Sequence, residues 1–113
     1  MAKPEVITRV GCSGWTYDDW RGPFYPNALR QKDRLAYYAS IFDTTEINGS
    51  FYRLPSEKAV QAWADQVPDS FLFSWKVSRF ITHNKKLNDC AAPVALVFGR
   101  MAALGRALGP ALI

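Results

Sequence analysis

A carboxylate and an ammonium stand near the ends of two predicted strands, where they could do chemistry together. Glu46 and Asn48 share one face of a strand predicted over 44–48. Lys76 lies on the polar face of a strand predicted over 71–77, so neighbouring strands would bring it toward Glu46. Such a pair is suited to a general base and an electrostatic stabiliser, or to a nucleophilic amine. It could equally be a buried ion pair that fixes the packing.

Basic side chains follow the same two strands. Arg53 comes after the first strand and Arg79 after the second, and each guanidinium could clamp a phosphate or carboxylate, or cap a loop carbonyl. His83 could transfer protons near neutral pH, although a lone histidine is more often a hydrogen-bonding loop residue. Our predicted catalytic residues are therefore Glu46, Lys76 and His83.

Aromatic side chains crowd the first two predicted loops. They are Trp15, Tyr17, Trp20, Phe51 and Tyr52. These rings could form a stacking platform for a base or a sugar, or they could simply pack the loops against the protein. Our predicted substrate-binding residues are Trp15, Asn48, Tyr52, Arg53 and Arg79.

The hydrophobic pattern predicts strands and helices in alternation. Strands are predicted over 6–12, 44–48 and 71–77, with a fourth beginning at 111–113. Helical spacing covers 34–42, the segment from a Ser56 cap to Pro68, and an apolar stripe over 94–108 that Gly109-Pro110 should stop. Segments 15–26, 49–55 and 79–89 are predicted loops.

Alternation of this kind requires parallel strands with right-handed crossovers, which makes the fold α/β. An open doubly wound sheet and a closed barrel both fit the pattern. The glycines at 11, 14 and 22 do not form the G-x-G-x-x-G spacing of a dinucleotide site.

Six motifs in order resemble the domain of unknown function 72 family, also called the YecE-like family. They are GCSGW at 11–15, FYP at 24–26, LAYYA at 35–39, EINGSFYRLP at 46–55, FLFSWK at 71–76 and ITH at 81–83. The resemblance implies a TIM-like parallel β/α barrel, whose site would lie at the carboxyl ends of the strands. A closed barrel takes about 250 residues. We therefore expect 1–113 to be a single incomplete domain, truncated at its C-terminus, with three β/α units and the start of strand four.

The charge composition indicates which kinds of ligand the protein would attract. The 113 residues hold 14 Lys and Arg against 10 Asp and Glu, and the net charge of +4 favours a phosphate-bearing small molecule or nucleic acid.

The sequence contains neither a signal-peptide pattern nor an apolar run of about 18 residues, so we expect a cytoplasmic protein that does not contact membranes. Cys12 and Cys90 are too far apart for a metal motif. No metal is predicted, and cofactor and oligomeric state are left open.

Three functions fit these residues. The first is an enzyme acting on a phosphorylated or nucleic-acid substrate at the mouth of the barrel. The second is a non-catalytic domain that binds nucleic acid or another anion. The third is a sugar or aldehyde lyase that forms a Schiff base on Lys76. The sequence alone does not decide whether the protein is an enzyme.

Overall fold

Four parallel strands joined by helices build the fold. In the computed structural model, which describes residues 6–113, the strands are β1 (Gly11–Ser13), β2 (Thr44–Ile47), β3 (Leu72–Lys76) and β4 (Leu108–Leu112). They lie in chain order in one sheet, and each adjacent pair is parallel. The connecting helices are α1 (Arg34–Ala39), α2 (Glu57–Asp65) and α3 (Ala91–Ala102). The predicted α/β alternation is confirmed.

Local sequence signals explain where α2 begins and which face it buries. The Ser56 hydroxyl accepts a hydrogen bond from the Ala59 amide at 3.1 Å, which caps the helix as predicted. Val60 and Ala64, four residues apart, are buried against the sheet. Pro68 follows shortly after the helix ends.

The core lies between the helices and one face of the sheet. Burial alternates along β3, where Phe73 and Trp75 are fully buried while Ser74 and Lys76 are half-buried. The same alternation along β2 leaves Glu46 on the opposite, uncovered face, as its place in the pattern predicts. The apolar side chains that meet Phe73 and Trp75 in this core include Ile47, Val60, Val97, Met101 and Leu104.

The first strand is shorter than predicted. Strand pairing begins only at Gly11, opposite Thr44, where β2 starts. The β-branched residues before it belong to no strand, and Val10 is 67% exposed. Helix α1 also ends at Ala39 instead of residue 42. Its next residues form a turn in which the Ser40 hydroxyl donates to the Tyr37 carbonyl.

The fourth strand begins earlier than predicted, because the helix stops at a different glycine. Helix α3 ends at Ala102, and Gly105, at φ +57°, turns the chain into β4. The predicted stop, Gly109-Pro110, lies inside β4 as a bulge in which two residues face the single residue Ser74. At the bulge, a proline without an N–H is tolerated.

The loops contain short helical turns. Residues 14–33 include 3-10 turns at Asp18–Trp20 and Gln31–Asp33, and the turn after β2 is Gly49–Phe51. The predicted polar loop after β3 contains a π-helical turn, Phe80–Asn84, with Ile81 buried. Among residues 6–113, no helix is long and apolar enough to cross a membrane.

Candidate functional site

A row of polar side chains crosses the uncovered face of the sheet at one level. Strand register places Ser13, Glu46 and Ser74 side by side on β1, β2 and β3. The Ser13 hydroxyl donates to Glu46 Oε1 at 3.0 Å, and the Tyr17 hydroxyl donates to the Ser13 carbonyl. The half-buried Glu46 carboxylate is therefore oriented from β1.

Glu46 and Lys76 do not form the ion pair that the sequence left open as one alternative. Lys76 lies two residues beyond Ser74, the register partner of Glu46, and no salt bridge within 4.0 Å joins the two side chains in the described chain. Both are only half-buried. The buried ion pair considered from the sequence is wrong, because Lys76 contacts an aromatic ring instead.

That ring is Phe51, around which the loops after β2 and β3 meet. Lys76 Nζ lies 4.5 Å from the centre of the Phe51 ring, and the His83 ring meets Phe51 edge-to-face at 5.1 Å. Tyr52 packs edge-to-face on Phe51 at 5.0 Å, and Arg79 Cζ lies 5.6 Å from the Tyr52 ring centre. We call these five residues the Phe51 cluster. It contains four of the eight predicted site residues.

A buried serine holds the Phe51 turn against the end of β3. Ser50 Oγ lies 2.7 Å from the Ile47 carbonyl and 2.6 Å from the Lys76 carbonyl, and its single proton serves one of them at a time. On the other side of the cluster, His83 Nδ1 lies 2.7 Å from Thr82 Oγ1. The cluster is thus attached to both strand ends.

The three basic side chains of the cluster have no acidic partner in the described chain. Within residues 6–113, no carboxylate lies within 4.0 Å of Lys76, Arg79 or His83. The salt bridges found there are Arg9–Asp43, Arg30–Asp33, Arg34–Asp18 and Arg106–Asp69. The Phe51 cluster therefore concentrates positive charge where parallel β/α folds bind ligands.

A cavity of about 480 Å³ lies next to this turn. We call it the loop cavity, because the loops after β1 and β2 form it together with α2. Three predicted site residues line it, namely Trp15, Asn48 and Arg53. Trp63 of α2 meets Trp15 edge-to-face at 5.5 Å. Seven of the eight predicted residues thus fall into two neighbouring groups, and the eighth, Glu46, lies in neither group, on the uncovered sheet face.

Two buried residues that sequence reasoning missed hold the loop after β1. Arg34 is 1% exposed, donates to Asp18 Oδ1 at 3.0 Å and lies 5.3 Å from the Tyr25 ring centre. The Tyr25 hydroxyl donates to the Trp15 carbonyl at 2.6 Å. Burial raises the pKa of Tyr25 to about 12, against a smaller opposing effect of Arg34. The available signal was spacing, since Arg34 precedes the buried Tyr38 by four residues.

The aromatic residues of the first loop mostly pack that loop. Trp20 contacts Tyr17, Phe24, Tyr25 and Tyr38. Trp15 is buried against Phe73. Tyr52, at 61% exposed, is the ring of the predicted platform that solvent reaches most. In the part of the chain that the structure describes, no three His, Cys, Asp or Glu side chains are placed to hold a metal ion.

Comparison with known proteins identifies one family. The model of the family described as "Protein of unknown function DUF72" matches residues 9–113. A DUF72 family protein from Thermotoga maritima, known from its crystal structure, is 27% identical with a TM-score of 0.77. The match covers 91% of this chain and 42% of that one. A DUF72 family protein from Enterococcus faecalis is 25% identical with a TM-score of 0.55, over 66% of this chain and 32% of that one.

One curated relative is also similar. UPF0759 protein YunF from Bacillus subtilis is 26% identical over 77 residues, which are 68% of this chain and 26% of YunF. The chain therefore spans between about a quarter and two fifths of the length of these relatives. Its four parallel strands and intervening helices match a portion of the solved structures.

Proposed function

The chain belongs to the DUF72 family of proteins of unknown function, and from the geometry of its sheet edge we propose that it is an enzyme acting on a phosphate-bearing substrate. The substrate's phosphate binds at the Phe51 cluster. The Glu46 carboxylate acts as the general base.

The observation that carries this proposal is the concentration of basic side chains without acidic partners in the described chain around two touching rings, Phe51 and Tyr52. Lys76, Arg79 and, when protonated, His83 repel one another, and the aromatic ring faces only partly offset that repulsion. A phosphate offers several acceptor oxygens and negative charge to all three. Binding it would convert the mutual repulsion into attraction.

Glu46 supplies the chemical group on the sheet face from which Lys76 also projects. Its Oε1 accepts the Ser13 hydroxyl proton in a hydrogen bond, and it shares the uncovered sheet face with Lys76. A carboxylate oriented by one hydrogen bond keeps a second oxygen for a proton of water or substrate. Lys76 would then stabilise the negative charge that develops on the phosphate.

The Schiff-base function is less well supported by the position of Lys76. The face of Phe51, 4.5 Å from Nζ, attracts a cation, whereas Schiff-base formation needs a neutral amine. Borohydride reduction in the presence of carbonyl compounds tests this function directly. We expect no covalent adduct at Lys76 by mass spectrometry.

The main experiment separates binding from turnover. The chain is tested by calorimetry and by product analysis against a panel of phosphorylated small molecules and short single-stranded oligonucleotides. Glu46→Gln should lower turnover by about a hundredfold or more while binding persists, and Lys76→Ala should weaken binding. Glu57→Gln, on the exposed side of α2, is the matched control and should change neither.

Two outcomes would overturn the proposal. If the chain binds none of the phosphorylated compounds, the proposed phosphate site at the Phe51 cluster is wrong. Binding that is steeply salt-dependent, with no substrate ever altered, would instead favour a non-catalytic domain that binds nucleic acid or another anion.

A further inference from the structure

The loop cavity has walls suited to a flat organic group. Its volume of about 480 Å³ lies within the range typical of small-molecule sites. Trp15, Trp63, Ile47 and Pro55 line it with ring edges and aliphatic surface. An apolar or heteroaromatic group would lose little by leaving water for such walls.

The polar groups that line the cavity favour flat ligands with a complementary hydrogen-bonding edge. Asn48 Oδ1 is shielded from solvent and accepts no hydrogen bond in the described chain, which is a costly arrangement for a buried acceptor. A carboxamide also carries N–H donors, so it complements a ring edge on which a donor adjoins an acceptor. Nucleobases such as adenine present that edge.

The charge of the lining residues also bears on which ligand the cavity would accept. Arg53 is the one charged residue among those that line it. Its positive charge favours an anionic ligand over a cationic one at the cavity.

The cavity and the Phe51 cluster are close enough for one small molecule to reach both. Gly49 and Ser50 line the cavity, and Phe51, the next residue, carries the cluster. Consecutive α-carbons are about 3.8 Å apart, a short distance beside the length of a nucleotide.

We infer that the loop cavity holds the base of a nucleoside monophosphate whose phosphate lies at the Phe51 cluster. This inference rests on the proposed function for the phosphate, and it names the substrate class. The base edge would hydrogen-bond to the Asn48 carboxamide, with Arg53 at the wall of the cavity.

The test compares four probes on the full chain by isothermal titration calorimetry. They are adenosine 5′-monophosphate (AMP), adenosine, ribose 5-phosphate and inorganic phosphate. AMP should bind at least about tenfold more tightly than ribose 5-phosphate, which corresponds to the value of burying one base. Asn48→Ala should weaken AMP and adenosine by about tenfold and leave ribose 5-phosphate unchanged.

Two variants serve as controls. Asn27→Ala, at an exposed asparagine outside the cavity, should change none of the affinities. Lys76→Ala should weaken AMP, ribose 5-phosphate and phosphate but not adenosine. Thermal melting of each variant checks that it is folded.

The two hypotheses fail in different ways. If AMP binds no more tightly than ribose 5-phosphate to the wild-type chain, the base site is wrong, whatever the variants do. If adenosine binds but phosphate and ribose 5-phosphate do not, the phosphate site of the proposed function is wrong while the cavity still takes a base.

Discussion

Gly11, the first residue of β1, lies so close to β2 that no side chain fits there. A Cβ on Gly11 would lie 1.9 Å from the Thr44 carbonyl oxygen and 2.8 Å from the Tyr38 hydroxyl. That hydroxyl accepts from the Cys12 amide and donates to the Thr44 carbonyl, so it cannot move freely. The contact that brings β1 beside β2 therefore requires glycine.

Gly11→Ala should destabilise the protein by about 3 kcal/mol, because backbone atoms of β2 would have to shift. Urea denaturation followed by circular dichroism measures the change. The matched control is Gly99→Ala in α3, where nothing lies within 4 Å of the added methyl group and helix propensity should add about 0.5–1 kcal/mol of stability. Equal effects at the two positions would contradict this account.

Tyr25 predicts how stability responds to alkali. Its pKa is raised from 10.0 to about 12 by burial, so above pH 10 the unfolded chain loses the phenolic proton while the folded chain keeps it. Stability is then fully present below pH 10 and declines as the pH rises toward 12. Tyr25→Phe should make this decline shallower in urea titrations. Some slope should remain, because burial also raises the pKa of Tyr38. An unchanged slope would contradict the prediction.

At the scale of elements, the turn after β2 joins the two parts of the candidate site. Gly49 and Ser50 of this turn line the loop cavity, and the Phe51 ring contacts Lys76 and His83. The Ser50 hydroxyl also hydrogen-bonds to the end of β3. The geometry of the site thus depends on a turn held by side-chain hydrogen bonds. Neither neighbouring strand fixes it alone.

Ser50→Ala should cost about 2 kcal/mol, since a buried hydroxyl that donates to one or the other of two carbonyls is lost, and it should also weaken phosphate binding. Ser56→Ala is the matched control. It removes the cap of α2 and should cost about 1 kcal/mol, with phosphate affinity unchanged. Equal losses of affinity in the two variants would show that general stability, and not the turn, governs binding.

At the scale of the whole molecule, the described sheet is open. β1 and β4 each have a strand neighbour on one side only within residues 6–113, and the face that carries Glu46 is not covered by helices. Unpaired strand edges are templates for pairing with another chain. Leu112, at the β4 edge, is 53% exposed.

We expect this chain to self-associate through its edges as its concentration rises. Leu112→Lys should reduce the association in sedimentation experiments, because a charge at an edge opposes pairing. Leu96→Lys, at a leucine of α3 that is 57% exposed, is the control and should have little effect. A wild-type chain that remains monomeric at every concentration would contradict the prediction.

Much of the fold could be predicted because its signals are local. Alternation along β3 and four-residue spacing in α2 assign faces to side chains, and β/α alternation implies parallel strands. The start of β4 could not be predicted in this way. Its bulge forms only where Gly109 lies against the Phe73 carbonyl of the neighbouring strand.

The sequence by itself determined which face of the sheet Glu46 and Lys76 occupy, because strand periodicity depends only on neighbouring residues. Asn48, predicted to share the face of Glu46, instead follows the end of β2 in a helical turn and lines the loop cavity. Tertiary structure decided the partners of Glu46 and Lys76. Lys76 approaches Phe51 and Glu46 approaches Ser13, since strand register and the path of the Phe51 turn set those distances. A shift of one residue moves a side chain by about 3.3 Å and to the other face. Contacts between elements are therefore properties of the assembled sheet, whereas the faces are properties of each strand.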